Sequence, residues 1–358
     1  MKLNYDKHNG EIETLIEGLI AMTGCQKNTE IIREMILSAL KAAGDNMGRG
    51  DLKIINNTIK EMRYSFNLFA RYTDKRKVTV FGSARIKDNE PAYELAREFS
   101  RKISQWDYMV ITGAGGGIMQ AGNEGAGTDN SFGVGIDLPF EQSANQWIHN
   151  DIKLINFKYF FTRKVNFLKE ASAVVLFPGG FGTHDEAFET LTLVQTGKSN
   201  IIPVIFIDPT GNNLWRGLEE YMRVHLYRTG LISEDDMHLY TIMNSIDDAI
   251  SEILHFYKRF HSYRYVRDHL VIRMNSPLTA EQLDFLNHDF KDILVSGTIE
   301  ATGPLPEEQE EAGTLHLPRL KLHFDRRSLG RLRLLIDMLN GFEIREDQAL
   351  ETQEGPSI

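Results

Sequence analysis

Three times between residues 78 and 182 a short apolar run ends in a turn of glycine or other small residues, and each turn leads into a helical pattern. Val78-Thr79-Val80-Phe81 precedes Gly82-Ser83-Ala84-Arg85. Tyr108 to Thr112 precedes Gly113-Ala114-Gly115-Gly116-Gly117, and Ala173 to Phe177 precedes Pro178-Gly179-Gly180-Phe181-Gly182-Thr183. Such runs read as strands buried on both faces. Strand and helix keep alternating to about residue 260, which predicts an α/β fold, a Rossmann-like doubly wound parallel sheet. In such a sheet the strand-to-helix turns collect at the carboxyl edge, where ligands bind.

The third turn carries the most chemistry. Missing side chains at Gly179, Gly180 and Gly182 let backbone approach a ligand, and the first amides of the following helix face it with the positive end of the dipole. An anion is the expected guest. Thr183 can cap the helix or bond the anion, and Glu186, one turn in, can act on whatever the anion is attached to. Glu189 lies on the same helical face as Glu186 and is a candidate second carboxylate. Asp185, about 100° away around the helix, reads as a first-turn acid, and His184 as a surface residue. A single glycine turn serves tight packing as well as phosphate binding; three on one edge favour a phosphorylated ligand.

Composition narrows the guest. A net charge of −10 argues against a nucleic-acid polymer as partner but not against a small anion in a local pocket. The single cysteine, Cys25, excludes an internal disulfide framework and reads as buried packing; no Cys/His spacing suggests a metal site, and no cofactor is expected. Met1 to His8 lack the apolar core of a secretory signal, and no apolar run reaches about 18 residues, so a cytoplasmic protein with no membrane partner is expected.

The helical periodicity of residues 1–75 marks an N-terminal extension, and the alternating pattern marks a nucleotide-binding domain over 76–262. A strand, a helix, two strand-like runs and a last helix near Ser328 to Leu339 suggest a small α+β appendage over 263–345. Pro304 to Glu311 reads as an acidic loop within it. Arg319, Lys321, Arg326, Arg327, Arg331 and Arg333 read as a solvated basic face, and the polar tail 346–358 as disordered.

Phe160-Phe161-Thr162-Arg163-Lys164 sets two cations in an aromatic frame ahead of the third strand. Its bland reading is a solvated face on an amphipathic helix; its functional reading makes Arg163 a fixed charge at the ligand edge. VTVFGSAR (Val78 to Arg85), TGAGGGIMQAGNEGA (Thr112 to Ala126), Leu138 to Gln142, FFTRK and PGGFGTHDE occur in an order that resembles the Lonely Guy family, whose members are often labelled lysine decarboxylases. The family motif PGGxGTxxE is matched in full by Pro178, Gly179, Gly180, Gly182, Thr183 and Glu186, and its paired arginine falls on Arg163, 23 residues earlier. The likeness spans roughly residues 76 to 230, so this chain would be a longer form with extensions at both ends.

That resemblance implies an N-glycosidase: hydrolysis of a nucleoside 5′-monophosphate, AMP or a cytokinin ribotide, to free base and ribose 5-phosphate. It makes Glu186 the group that stabilises an oxocarbenium-like ribose or orients water, and Arg163 the group that orients substrate. Gly82, Ser83, Arg85, Gly115, Gly116, Gly117, Met119, Lys164 and Glu189 would complete the substrate site, with Phe160 and Phe161 as apolar contacts. It also implies a homodimer or higher homo-oligomer. The alternative is a non-catalytic carrier of a nucleotide or of a phosphorylated cofactor such as molybdenum cofactor. A decarboxylase would need a pyridoxal phosphate lysine, and nothing around Lys164 or Lys198 supports that role.

Overall fold

The computed structural model describes residues 10–138 and 144–344, so residues 139–142 of the quoted motifs, the first eight residues and the polar tail lie outside the described residues. The chain forms two units divided between Tyr64 and Ser65. The first holds α1 (Glu11–Met22), α2 (Thr29–Gly44) and most of α3 (Arg49–Phe69). Ile16 and Ile20 of α1 are buried, and Arg33 of α2 pairs with Glu13 at 3.0 Å. Cys25 is only half-buried in the turn after α1, bonded to the Lys27 carbonyl, so it is not core packing.

The second unit begins with the alternation read from the sequence. In order come β1 (Lys77–Phe81), α4 (Pro91–Ser104), β2 (Met109–Thr112), α5 (Ile118–Ala126), β3 (Ser131–Ile136), β4 (Leu154–Phe157) and α6 (Phe160–Lys169). They are followed by β5 (Ala173–Leu176), α7 (Phe181–Gln195), β6 (Val204–Ile207), α8 (Leu214–Tyr221), β7 (Thr241–Met243) and α9 (Ile246–Phe256). The seven strands form one sheet in the order β4-β3-β2-β1-β5-β6-β7, and every pairing is parallel. Val78 stands opposite Val110 on one side and Ala173 on the other. Residues such as Val78, Val110 and Val175 pack under α4 and α9, while Ile111, Val174 and Phe206 pack with Phe167 and Trp215, so both faces of the sheet are covered. This is the doubly wound architecture that the apolar runs require.

The strand expected over Ile201 to Ile207 begins only at Val204, because Pro203 has no amide to give to a ladder, although its carbonyl still accepts from Val174 at 2.9 Å. Strands β4 and β7, four and three residues long, carry too few residues for a periodic signal.

A second, antiparallel sheet follows, with β8 (Phe260–Val266), β9 (His269–Met274), α10 (Ala280–Asp289), β10 (Leu294–Thr302), β11 (Arg319–Phe324) and α11 (Leu329–Gly341), in strand order β10-β11-β9-β8. Leu332, Leu335, Ile336 and Leu339 of α11 share a core with Leu270, Ile272, Leu320 and Leu322. The expected basic face is solvated only in part: Arg326 and Arg327 are exposed, and the others are not. Arg319 is fully buried with its Nε 2.9 Å from Glu308, Arg333 is buried on Glu252 and Asp337, and Lys321 pairs with Glu300 at 2.7 Å. Glu308 of the acidic loop is itself fully buried, so part of that loop is a closing element and not a solvated run.

Candidate active site

In the order β4-β3-β2-β1-β5-β6-β7 the direction of winding reverses between β1 and β5, the switch point at which open parallel sheets hold their ligand crevice, at the carboxyl ends of the strands. The three small-residue turns meet at this point. The Ser83 amide donates to the Pro178 carbonyl at 3.1 Å, and the Ser83 carbonyl accepts from the Ile118 amide at 3.0 Å. The turn after β1 is thus tied to the turns after both β5 and β2. Ser83 Oγ accepts from the Arg85 amide, which leaves the Arg85 side chain exposed. Gly82 closes β1 against Ile118, and Gly115, Gly116 and Gly117 lead into α5.

Two glycines are required by contact. A Cβ on Gly179 would overlap Thr183 Oγ1 and approach the Ser83 amide to 3.0 Å, so only glycine lets Thr183 turn back onto its own loop. A Cβ on Gly113 would overlap the Arg163 guanidinium and the Met119 sulfur, which places both side chains against the turn after β2. Asn145, which no sequence pattern marked, holds that turn from outside: its amide donates to the Ala114 carbonyl at 2.8 Å and its Nδ2 to Gly115 at 3.0 Å. Its signal is tertiary, since it lies about thirty residues beyond the glycines it fixes.

Gly180 precedes α7 in an extended conformation and gives no side-chain cap. The amides of Phe181, Gly182 and Thr183 therefore have no intrahelical acceptor and point out of the helix end. Thr183 is buried, Gly182 is exposed, and Glu186 lies one turn further in with only 8% of its surface exposed. Burial pushes the Glu186 carboxyl up to about 7; Lys164 and Arg163 oppose that shift, whereas Glu189 and Asp185 add to it.

Both cations come from α6, which the Thr79 hydroxyl of β1 holds by a 2.8 Å bond to the Phe167 carbonyl. Arg163 Nε donates to the Val134 carbonyl of β3 at 2.9 Å, and the guanidinium lies 5.0 Å above the Phe167 ring. It is a charge held by the scaffold. Lys164, expected in the substrate site, has its ammonium among carboxylates: 2.6 Å from Glu189, 2.8 Å from Asp185 and 4.0 Å from Glu186. One residue along a helix turns a side chain through about 100°, which sends Lys164 toward α7 while Arg163 faces the turn after β2. Asp185 therefore belongs to the site although the sequence set it aside as a helix-end acid. Its spacing of four from Glu189 was the available sign. His184 does face elsewhere, its ring 5.2 Å from that of Trp215. Phe160 and Phe161 stand about half exposed at the start of α6, and Phe161 stacks on Tyr159. Lys198 is exposed beyond the end of α7.

The site thus combines unpaired helix amides for an anion, a buried carboxylate that titrates near neutrality and an anchored guanidinium. Residues 119–253, which include Arg163 and the whole PGGFGTHDE run, match a family described as possible lysine decarboxylase. This segment resembles the Lonely Guy family. Within that segment Lys164 is engaged by carboxylates, so the description's lysine chemistry has no support at this position. The chain is also similar to the pyrimidine/purine nucleotide 5′-monophosphate nucleosidase of Escherichia coli, at 27% identity over 183 residues. That match takes in 48% of this chain and 38% of the relative, so the chain spans well under half the length of the curated relative. Solved structures matched over half of the chain include the molybdenum cofactor binding protein of Rippkaea orientalis, at 18% identity and a TM-score of 0.37, covering 50% of this chain and 95% of that one. The molybdenum cofactor carrier protein of Chlamydomonas reinhardtii gives 18% identity and a TM-score of 0.36, covering 50% and 96%. Among the described residues no helix is long and apolar enough to cross a membrane.

Proposed function

We propose that the protein is a nucleoside 5′-monophosphate phosphoribohydrolase that hydrolyses the N-glycosidic bond of AMP or a cytokinin-type ribotide. The observation that carries this reading is Glu186, a buried carboxylate one turn inside a helix whose amide end is open to an anion. In this reading the 5′-phosphate accepts hydrogen bonds from the amides of Phe181 to Thr183 and from the Thr183 hydroxyl. The ribose then lies over the first turn of α7, which sets C1′ beside Glu186. As the bond from C1′ to the base lengthens, positive charge grows on the ribose, and the ionised carboxylate stabilises it. Water adds its hydroxyl to C1′ and its remaining proton goes to the departing base. Arg163, already fixed on Val134, orients the substrate without exchanging a proton. The name of the Escherichia coli relative supports the same class of substrate.

The test is incubation with a panel of nucleoside monophosphates and chromatography of the free bases. Wild type releases base; Glu186→Gln lowers the rate by about 10²–10⁴-fold while a monophosphate still binds. Ligand recovered intact from every reaction would replace this reading with that of a carrier.

A further inference from the structure

Lys164 is the one site cation whose ion-pair partners are all carboxylates of α7, among the described residues. Its side chain is 15% exposed, and it is the point where α6 and α7 are joined by charge. The negative groups it meets are graded by depth: the Asp185 side chain is 60% exposed, Glu189 29% and Glu186 10%. Its two short contacts go to the outer pair, and the deepest carboxylate stands at 4.0 Å. Three carboxylates within reach of one ammonium would repel one another if it were absent, and the innermost, least hydrated one would take up the proton.

We propose that Lys164 is a positioning residue for Glu186: its ammonium, clamped between Asp185 and Glu189, neutralises the two flanking acids so that the carboxylate in the crevice stays ionised and free to face the ribose. This inference rests on the proposed role of Glu186. The clamp explains why Lys164 does not contact Glu186 as closely as it does the other two. A short bond from Lys164 would hold Glu186 to α6 and occupy oxygens needed for substrate, whereas a charge 4.0 Å away acts through space alone. The charged groups that bear on Glu186 are Lys164 and Arg163 from α6 and Asp185 and Glu189 from α7, and Lys164 has the largest effect in favour of the ionised form. Arg163 cannot substitute for it, because its guanidinium is committed to β3 and the Phe167 ring.

The experiment compares wild type, Lys164→Gln and Lys164→Arg by the pH dependence of base release from AMP. In parallel, the carboxyl of Glu186 is titrated by NMR in protein labelled at the glutamate side-chain carbon, its signal assigned by its loss in Glu186→Gln. Lys164→Gln is expected to move the acid limb of kcat up by about one pH unit, a roughly tenfold loss at pH 6 that recovers in alkali. KM for AMP changes little, and Lys164→Arg returns the limb toward wild type. A raised KM with an unmoved limb would make Lys164 a phosphate ligand and overturn the proposal. A lowered Tm with neither change would reduce it to a structural strut, with the same consequence. The NMR titration separates the two layers. If wild type releases no base but the Glu186 signal still shifts upward in Lys164→Gln, the phosphoribohydrolase reading fails and the electrostatic clamp stands. If base is released and the signal does not move, the clamp alone fails.

Discussion

Two buried glutamates in residues 65–358 have opposite fates. Glu308, in the short helical turn beneath the antiparallel sheet, is fully buried, yet its carboxyl is held below the ordinary carboxylate range. Burial alone would raise it, but the Leu305 amide at 3.0 Å, Arg273 at 2.6 Å and Arg319 at 2.9 Å all hold the ionised form. Glu186 is almost as deep, accepts no side-chain hydrogen bond among the described residues, and is pushed up to about 7. Burial therefore does not by itself mark a working carboxylate. What marks it is burial with charge nearby and its oxygens left unbonded, because an acid whose oxygens are already filled has none to offer a ligand.

The largest effect expected from this contrast is on catalysis: Glu186→Gln should abolish most base release and leave the fold intact. The mirror experiment is Glu308→Ala. It leaves Arg319 buried without its counter-charge and Arg273 with only the half-exposed Glu311, so it should cost about 3–5 kcal/mol of stability. Urea unfolding checks it, and the protein that remains folded should keep its base-release rate. If Glu308→Ala cut the rate per folded molecule as severely as Glu186→Gln, the division into a structural and a working glutamate would collapse.

The pH dependence of stability should separate them next. Glu186 binds its proton more tightly folded than unfolded. Its contribution is therefore full below its ordinary value of 4.5 and lost as pH rises to about 7. Glu308 runs the other way: its contribution is present above 4.5 and disappears as pH falls through its lowered folded value. Tm measured from pH 3 to 9 should show Glu186→Gln flattening the fall toward neutrality and Glu308→Gln flattening the fall in acid. The catalytic limb near pH 7 should follow Glu186 alone, since the proposed reaction uses the carboxylate form.

The same contrast governs what could be read before folding. The turns at Gly82, Gly113 and Gly179 were visible because strand, glycine and helix are consecutive in the chain, and their meeting follows from parallel topology. Glu186 was visible for the same reason, being one turn from Gly182. Glu308, Arg273 and Arg319 were not. Their partners are 35 and 11 residues apart, and a run of acids followed by a run of bases looks like solvated surface until a sheet brings them together. The ion pairs of Lys164 were hidden on similar grounds, because the direction of a lysine on α6 depends on where α7 packs. Asn145 gave no local sign at all.

The smallest effect tests how far the grading by depth extends. Asp185 makes a 2.8 Å ion pair with Lys164, but its side chain is 60% exposed, so water and salt screen much of its field. It adds to the upward shift of Glu186, so Asp185→Asn should lower the catalytic acid limb, the reverse of Lys164→Gln. Because the pair is exposed, the displacement should be only a few tenths of a pH unit, in keeping with the roughly 0–1 kcal/mol typical of surface pairs. At about 1 M salt, where the screening length falls to about 3 Å, the difference from wild type should largely vanish. Glu189, less exposed and closer to the ammonium, should retain more of its effect under the same salt. A salt-resistant shift of a full unit in Asp185→Asn would mean that Asp185 is shielded from solvent in the working protein, and that depth in the isolated chain does not rank these acids.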